Sequence, residues 1–283
     1  MIKKINFKDY HLNFENYNSK TQTLTIENVQ DDTYFINFEN FIPNLLTIQI
    51  IHSNVSIVET FKGNIPNCQI EYNIDNQSKL QRCSIIVETL SEQTIIRNIN
   101  NNGFYQSMQI DLTKMSTHSE ENIHLNTPNA FASVKDGIYA MENTKKIYQT
   151  NLNHYQKNCI SKAQIFAVND DNAHVSIFTD AYIKNGATGT KTNQEGRIIN
   201  LSTTCYGIVL PNLHIDENDV EASHSCSVGS VNQDHMYYLE SRGLSTLQAR
   251  NILIRGYFNP ILENLTNETI KNEIITLLEK RIG

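Results

Sequence analysis

Two residues that can bind iron or sulfur lie two positions apart in the polar stretch 223–227, His224 and Cys226. A neutral imidazole is a competent iron ligand and can also relay protons near neutral pH. If the stretch is a β-strand, alternation puts both side chains on one face, where they could contact the same iron or sulfur species. The simpler alternative is a surface histidine beside an ordinary free thiol.

The other cysteines show no ligand spacing of their own. An odd number of irregularly spaced cysteines in a chain of 283 residues indicates reduced thiols rather than a disulfide framework. The absence of a CxxC pair argues against a self-contained zinc site or a ferredoxin-type cluster. Cys205 stands six residues before Pro211, and its simplest interpretation is an inert core cysteine. The remaining three are also most simply core residues: Cys68, Cys83 and Cys159.

These residues follow a long body that is typical of β-structure. Short β-branched runs such as Ser84–Val87 and Val175–Phe178 are separated by Asn, Asp, Gly and Ser, and many alternate apolar with polar residues. We assign residues 31–231 to this body and residues 1–30 to an irregular or edge-strand segment before it. No strict repeat is visible, so periodicity alone leaves a sandwich and a β-helix both open.

Residues 232–283 are predicted to be helical. Asn232 can cap a first helix that ends near Gly243, and Ser245 with Gln248 forms a capping box for a second. We expect Asn259-Pro260 to interrupt this second helix, and a further cap at Thr266 to start a third. The apolar side of such a helical hairpin must be covered by the body or by a partner.

Composition excludes several classes of protein. A formal charge of −7 with scattered Lys and Arg argues against a nucleic-acid partner. No apolar run is long enough to span a membrane or to form a signal peptide, so we expect a cytoplasmic protein. The chain lacks the GxxxxGK[ST] loop of ATP hydrolysis, and no paired carboxylates stand out that would favour a β-helix enzyme acting on polysaccharide.

From about Lys145 onward, a series of short motifs follows in a fixed order. They are Gly186-Ala187, Thr192-Asn193-Gln194, Pro211-Asn212-Leu213, Asp219-Val220, Ser223-His224, Val228-Gly229, Tyr238-Leu239, Ser241-Arg242-Gly243, Ala249-Arg250, Arg255-Gly256 and Phe258. With these motifs in this order, the C-terminal part of the chain resembles the SufB/SufD family of iron-sulfur cluster assembly proteins, and most closely its SufD branch.

This resemblance implies a fold and partners. It implies a right-handed parallel β-helix for the body and a role as a non-enzymatic SufD-type subunit that pairs with SufB and docks the ATPase SufC, with sulfur donor proteins as indirect partners. The implied cofactor is a transient iron-sulfur cluster on the complex, with none bound stably by this chain alone. The residues expected to dock SufC are Met236, Tyr238, Leu239, Arg242, Gly243, Arg250, Leu253, Gly256 and Phe258.

The resemblance also assigns candidate site residues. His224 matches the SufD histidine implicated in cluster formation, whereas SufD proteins usually have a small residue where this chain has Cys226. Cys205 has the spacing of the SufB cysteine on which a cluster is built. One chain could therefore carry both kinds of ligand, and the alternative function is a SufB-like homodimeric scaffold that builds the cluster on its own Cys and His residues. A SufD whose site has decayed and which only assembles the complex is a further alternative.

Overall fold

The computed structural model describes residues 2–7, 16–40, 44–263 and 268–282. Within them the chain forms β-strands followed by three α-helices. In chain order the strands are β1 (Ile2–Phe7), β2 (Tyr17–Asn18), β3 (Thr23–Glu27), β4 (Gln30–Glu39), β5 (Leu46–Ile51), β6 (Asn54–Gly63), β7 (Asn67–Ile74), β8 (Lys79–Thr89), β9 (Gln93–Asn101), β10 (Phe104–Asp111), β11 (Thr117–Leu125), β12 (Phe131–Ala140), β13 (Lys145–His154), β14 (Ile160–Asn169), β15 (His174–Ile183), β16 (Thr190–Asn200), β17 (Tyr206–Ile215) and β18 (Val220–Ser230). The helices are α1 (Gln233–Ser241), α2 (Thr246–Leu262) and α3 (Glu268–Ile282).

From β3 onward, successive strands alternate between two sheets. Sheet A has the order β1-β4-β6-β8-β10-β12-β14-β16-β18, and sheet B has the order β17-β15-β13-β11-β9-β7-β5-β3-β2. Every neighbouring pair is parallel except β2 with β3. Each turn of the chain thus adds one strand to each sheet, which makes a parallel β-solenoid of about eight turns. The parallel β-helix implied by the resemblance is confirmed, and the sandwich is excluded.

The N-terminal strands lie at the start of this stack. β1 and β2 are the first edge strands of sheets A and B, and β3 already pairs with β5 in parallel. Strand pairing therefore reaches into residues 1–30, although Met1 and residues 8–15 lie outside the described residues. The predicted boundary at residue 31 falls inside β4, at the second residue of that strand.

Strand periodicity explains the interior. Alternate side chains of β5 and β9 are buried, so that one face of each sheet packs against the other. Ile and Leu dominate the first turns, with Ile48, Ile57 and Ile70 fully buried. Each such side chain contributes roughly 1.5–3 kcal/mol relative to exposure, which offsets the entropy of ordering so many short strands.

A charged cluster interrupts this apolar interior. The Glu59 carboxylate accepts hydrogen bonds from Arg97 Nη2 at 2.7 Å and from Arg82 Nη1 at 3.2 Å. Arg82 Nη2 donates to the Glu121 carboxylate at 2.6 Å. Burial alone would raise the pKa of Glu59, but Arg97 and Arg82 hold this pKa at about 2. The two guanidinium groups and two carboxylates therefore balance in charge, as buried ions must.

Asp136 adds a third carboxyl group to this cluster. Its Oδ1 has no hydrogen-bond partner in the part of the chain that the structure describes. Burial and the nearby Glu121 raise the pKa of Asp136 to about 8, against the opposing effect of Arg82 and Arg97. Asp136 is therefore protonated and neutral at pH 7, and the cluster carries no net charge.

The helices cover part of the outer face of sheet A. Phe258 and Ile261 of α2 pack into a notch at Gly137, where an added Cβ would lie 2.9 Å from Phe258 Cε1 and 3.0 Å from Ile261 Cδ1. Arg250 forms an ion pair with Asp170, at the turn after β14. The chain's own body thus covers the apolar sides of α2 and α3. The buried residues of α3 are Ile270, Ile274, Leu278 and Ile282.

The structure contains the predicted caps of α1 and α2 but not the predicted end of α2. Asn232 caps α1, Gly243 has a φ of +92° beyond its end, and the capping box of Ser245 is present. The predicted interruption at Asn259-Pro260 is wrong, because α2 continues through Pro260 to Leu262. An interior proline costs about 3 kcal/mol, which the burial of Ile261 and Leu262 offsets. The predicted cap at Thr266 lies outside the described residues.

Candidate site at the open end of the solenoid

The solenoid ends in a turn that nothing in the described chain covers. We call β17 and β18 the terminal rung, because they are the last strands of sheets B and A. β17 pairs only with β15, and β18 pairs only with β16. The outer edges of the terminal rung therefore present backbone N–H and C=O groups that another strand could pair with.

His224 and Cys226 both face this open end. In the parallel register His224 pairs with Gln194 and Cys226 pairs with Gly196. Paired residues of parallel strands share a face, and both Gln194 and Gly196 face the interior. The two side chains therefore lie on the inward face of β18, toward the solenoid axis. They are nevertheless exposed, because no further turn lies above them.

The preceding turn forms a floor beneath these two side chains. Gln194 Nε2 donates to the backbone carbonyl of Asn212 at 3.2 Å, which joins β16 to β17 under His224. Gly196 leaves room for Val209, since an added Cβ would lie 2.3 Å from Val209 Cγ1. The site thus consists of a floor that contains Gln194, Gly196 and Val209, with an imidazole and a thiol above it that a second molecule can reach.

Cys205 lies far from His224 and Cys226. It is buried just before β17, and its thiol donates to the backbone carbonyl of Asn169 at 3.3 Å. The register places Asn169 level with Ser230, six residues beyond His224 along β18. At about 3.3 Å per residue, Cys205 is roughly 20 Å from His224 and roughly 13 Å from Cys226 along the strand direction. One chain does not bring the three residues together.

The other cysteines are structural. Cys68, Cys83 and Cys159 are buried, and burial raises the pKa of Cys83 to about 12. Among the described residues no group of three or more His, Cys, Asp and Glu side chains could hold a metal ion. His224 and Cys226 are two potential ligands, whereas a tetrahedral site needs four, so a metal site here would require a second molecule to contribute the rest. Within the same ranges, no helix is long and apolar enough to cross a membrane.

The first group of predicted docking residues lies on α1 and just beyond its C-terminal end. This helix has no buried residue, and its Tyr238 side chain is 56% exposed. Arg242 lies over the Tyr238 ring, with Cζ 5.2 Å from the centroid. Met236 and Leu239 are half-buried, and Gly243 is exposed. These residues form an accessible surface.

The second group, on α2, is divided. Gly256 is exposed and Leu253 is half-buried. Phe258 is only 2% exposed and packs on sheet A, so it does not belong to an accessible surface. Arg250 is held by Asp170 and anchors α2 to the body. Phe258 and Arg250 therefore attach α2 to the body. The sequence alone does not distinguish this role from partner binding, because both roles require an amphipathic helix.

Several residues of this region were not identified from the sequence. The floor residues Gln194 and Val209 carry no motif of their own, and only the register of β16 and β17 reveals them. Tyr237 on α1 is 75% exposed and was not among the predicted docking residues. Its neighbour Tyr238 was predicted to dock SufC, and this was the signal in the sequence for an aromatic surface on α1.

Fold and site together define a β-solenoid protein that presents a ligand-bearing edge strand at its open end, as a scaffold subunit would. The chain belongs to the family of the SUF system for FeS cluster assembly, described as the SufBD core domain, whose model matches residues 18–257. The resemblance found in the sequence is confirmed.

Individual relatives agree with this family. The chain is 30% identical to the iron-sulfur cluster assembly protein SufD of Bacillus subtilis over 59% of this chain and 38% of that protein. It is 24% identical to SufD of Plasmodium berghei over 80% of this chain and 17% of that protein. An iron-sulfur cluster assembly SufBD family protein of Mycobacterium leprae is 31% identical over 39% of this chain and 28% of that protein. The chain thus spans well under half the length of these relatives.

Proposed function

We propose that this chain is a SufD-type subunit of an iron-sulfur cluster assembly scaffold that pairs with SufB and docks the ATPase SufC. The observation that supports this most directly is the exposure of His224 on β18, an edge strand whose outer edge has no neighbour in the described chain. The relatives named SufD favour that branch over SufB. The chain acts by presenting ligands and surfaces, and the cluster is its cargo rather than a resident cofactor.

Pairing with SufB would occur at the terminal rung. Val228 is 46% exposed although its register partner Ile198 is buried, so apolar surface remains to be covered there. A partner strand that pairs with the edge of β18 satisfies backbone groups and covers this surface together. His224 would then lie at the junction of the two proteins, where iron and sulfur are brought together.

Docking of SufC would use the exposed side of α1. Tyr238 with Arg242 offers an aromatic anchor and a cation that lie next to each other, which are residue types enriched at the centre of interfaces. Met236 and Leu239 extend this surface. Phe258 and Arg250 contribute indirectly, since they fix α2 on the body and so set the position of α1.

The role of His224 can be tested in the complex. We expect His224→Ala to leave the fold and the co-purification with SufB and SufC unchanged, because the side chain is exposed. Loss of an iron ligand should lower the yield of assembled cluster by about tenfold or more. The measurement is anaerobic reconstitution followed by iron and sulfide analysis and the visible absorption of the cluster.

The matched control is His214→Ala, because His214 is also exposed on the terminal rung but faces outward and contacts Asp180. Equal cluster yields in the native and His224→Ala complexes would remove the proposed role. Failure to recover SufC with the native chain would instead contradict the SufD assignment itself.

A second candidate function is a homodimeric scaffold. The observation that favours it is the exposure of Cys226 two residues from His224 on one face of β18. A two-fold axis across the open end would bring together two imidazoles and two thiols, which completes a set of four ligands.

This candidate makes a separate prediction for the chain expressed with SufC but without SufB. Cys226→Ser should reduce bound iron at least about tenfold, because it removes half of the ligands of the dimer. Cys205→Ser should have little effect, since that thiol is buried about 20 Å from His224. A cluster that depends on Cys205 instead would favour the SufB-like route, and a strictly monomeric chain would exclude the homodimer.

A further inference from the structure

A row of apolar side chains crosses the outer face of sheet A away from the helices. Phe104, Phe131 and Ile160 begin β10, β12 and β14 and lie side by side in the register. The two phenyl rings stack with their centroids 4.6 Å apart, and Ile160 is 37% exposed. The contact between α2 and Gly137 lies six residues further along β12, about 20 Å away. The contact between α2 and Gly137 therefore does not reach this row of side chains.

Three lysines surround the row. Lys79 pairs with Phe104 at one end, and Lys162 lies two residues beyond Ile160 on the same face. Lys135 is a diagonal neighbour of Lys162 on the adjacent strand and is half-buried. Burial and the charge of Lys162 lower the pKa of Lys135. We call these three lysines with the apolar row the lysine patch.

The charges of the lysine patch are not compensated within the described residues. None of its three ammonium groups has a carboxylate within ion-pair distance there. Lys135 is level with Gln164 and then with Glu195 on the next two strands, and Glu195 is the nearest acidic residue in this line. Its carboxylate is already bound by Arg197 and by Gln164. Like charges held together on a surface lower its stability slightly and favour binding of an anionic group.

A groove adjoins the patch. It runs along the turns before β8, β10 and β12, has a volume of about 570 Å³, and is lined by Lys79, Phe104 and Phe131 among others. Its lining also includes Asn76, Asn102, Asn129 and Pro128. An extended peptide that enters this groove would place its side chains on the phenyl rings and near the lysines.

We propose that the lysine patch docks an acidic segment of a partner protein, with carboxylates at Lys135 and Lys162 and an apolar side chain on the Phe104–Phe131 stack. A protein segment fits better than nucleic acid, because the chain carries a net charge of −7 and Lys191 at the end of the row is already paired with Glu221. The patch uses neither the terminal rung nor α1, so it is independent of the proposed SufB and SufC surfaces.

The test uses a fluorescein-labelled synthetic peptide of Glu, Asp, Ser and Phe residues, titrated with the purified chain in low salt and followed by fluorescence anisotropy. We expect saturable binding that K135E/K162E weakens by about tenfold or more, and that rising salt weakens as well. F131S should also weaken binding, because the apolar contact is lost. A second peptide in which Ser replaces every Phe should bind less tightly for the same reason.

The matched control is K20E/K145E, because both lysines are exposed and lie outside the patch. This variant has the same change in net charge, so an equal loss of affinity would show a general charge effect and overturn the proposal. Absence of saturable binding by the native chain, or tighter binding of a single-stranded DNA oligonucleotide than of the peptide, would overturn it too. A single cooperative thermal unfolding transition in each variant establishes that the fold is intact.

Discussion

Glu59→Gln is expected to destabilise the fold strongly. The substitution keeps the volume of the side chain but removes the charge that Arg97 and Arg82 share. Arg82 retains Glu121, whereas Arg97 is left as a buried cation without a carboxylate partner. Breaking a buried pair in this way costs about 3–5 kcal/mol, a large part of the roughly 5–15 kcal/mol that stabilises a domain. Urea unfolding followed by circular dichroism measures the loss.

The control for this substitution is Glu27→Gln, because Glu27 is exposed on β3 and its change should remain within about 0.5 kcal/mol. A second variant isolates the charge. Combining Glu59→Gln with Arg97→Gln removes both partners, so the free energy of unfolding should partly recover relative to Glu59→Gln alone. A loss below about 1 kcal/mol for Glu59→Gln would show that water reaches the cluster and compensates the guanidinium.

Most of the strands and helices could be predicted from the sequence pattern, but the arrangement of the strands as a parallel β-helix was indicated only by the family resemblance. Alternation in runs such as Val175–Phe178 identified strands, because one face of each is buried. It could not separate a sandwich from a solenoid, since inward positions recur without a strict period and some hold charged residues. Glu59 and Arg97 illustrate this, because both are fully buried while their residue types predict exposure.

The candidate site was predictable in part for a related reason. The spacing of His224 and Cys226 indicates a shared face as soon as their stretch is taken as a strand, and the register agrees. Cys205 could not be placed, because its distance from His224 depends on which residues of β14, β16 and β18 are level with one another. Phe258 was placed on a partner surface because a helical stripe does not reveal whether the body or another protein covers it.

The interior of the solenoid and its terminal rung therefore differ in what they contribute: the interior to stability, and the terminal rung to contact with other molecules. The interior carries its charged groups in balance, which fixes the shape of the stack independently of any partner. The terminal rung leaves its outer strand edges unpaired among the described residues and exposes His224 and Cys226, so a second molecule can contact them. Replacing interior charges should therefore change stability first, whereas replacing His224 or Cys226 should change cluster assembly without changing stability.

Asp136→Asn is expected to stabilise the protein at neutral and alkaline pH. In the unfolded chain Asp136 loses its proton near its ordinary pKa of 3.8, whereas in the folded protein this pKa is raised to about 8. Between these two values the folded state holds one more proton, so its stability falls as pH rises, by up to about 1.4 kcal/mol per pH unit. Asparagine is neutral in both states and removes this dependence.

The free energy of unfolding of Asp136→Asn should therefore exceed that of the native chain by an amount that grows from about pH 5 to about pH 8 and then levels off. Urea titrations across this range measure the difference. His154, whose pKa is lowered to about 4 by burial, titrates in both proteins, so its contribution cancels. Asp219→Asn is the control, because Asp219 is exposed. A difference that stays constant with pH would show that Asp136 is ionised in the folded protein, and the cluster would then carry an unbalanced negative charge.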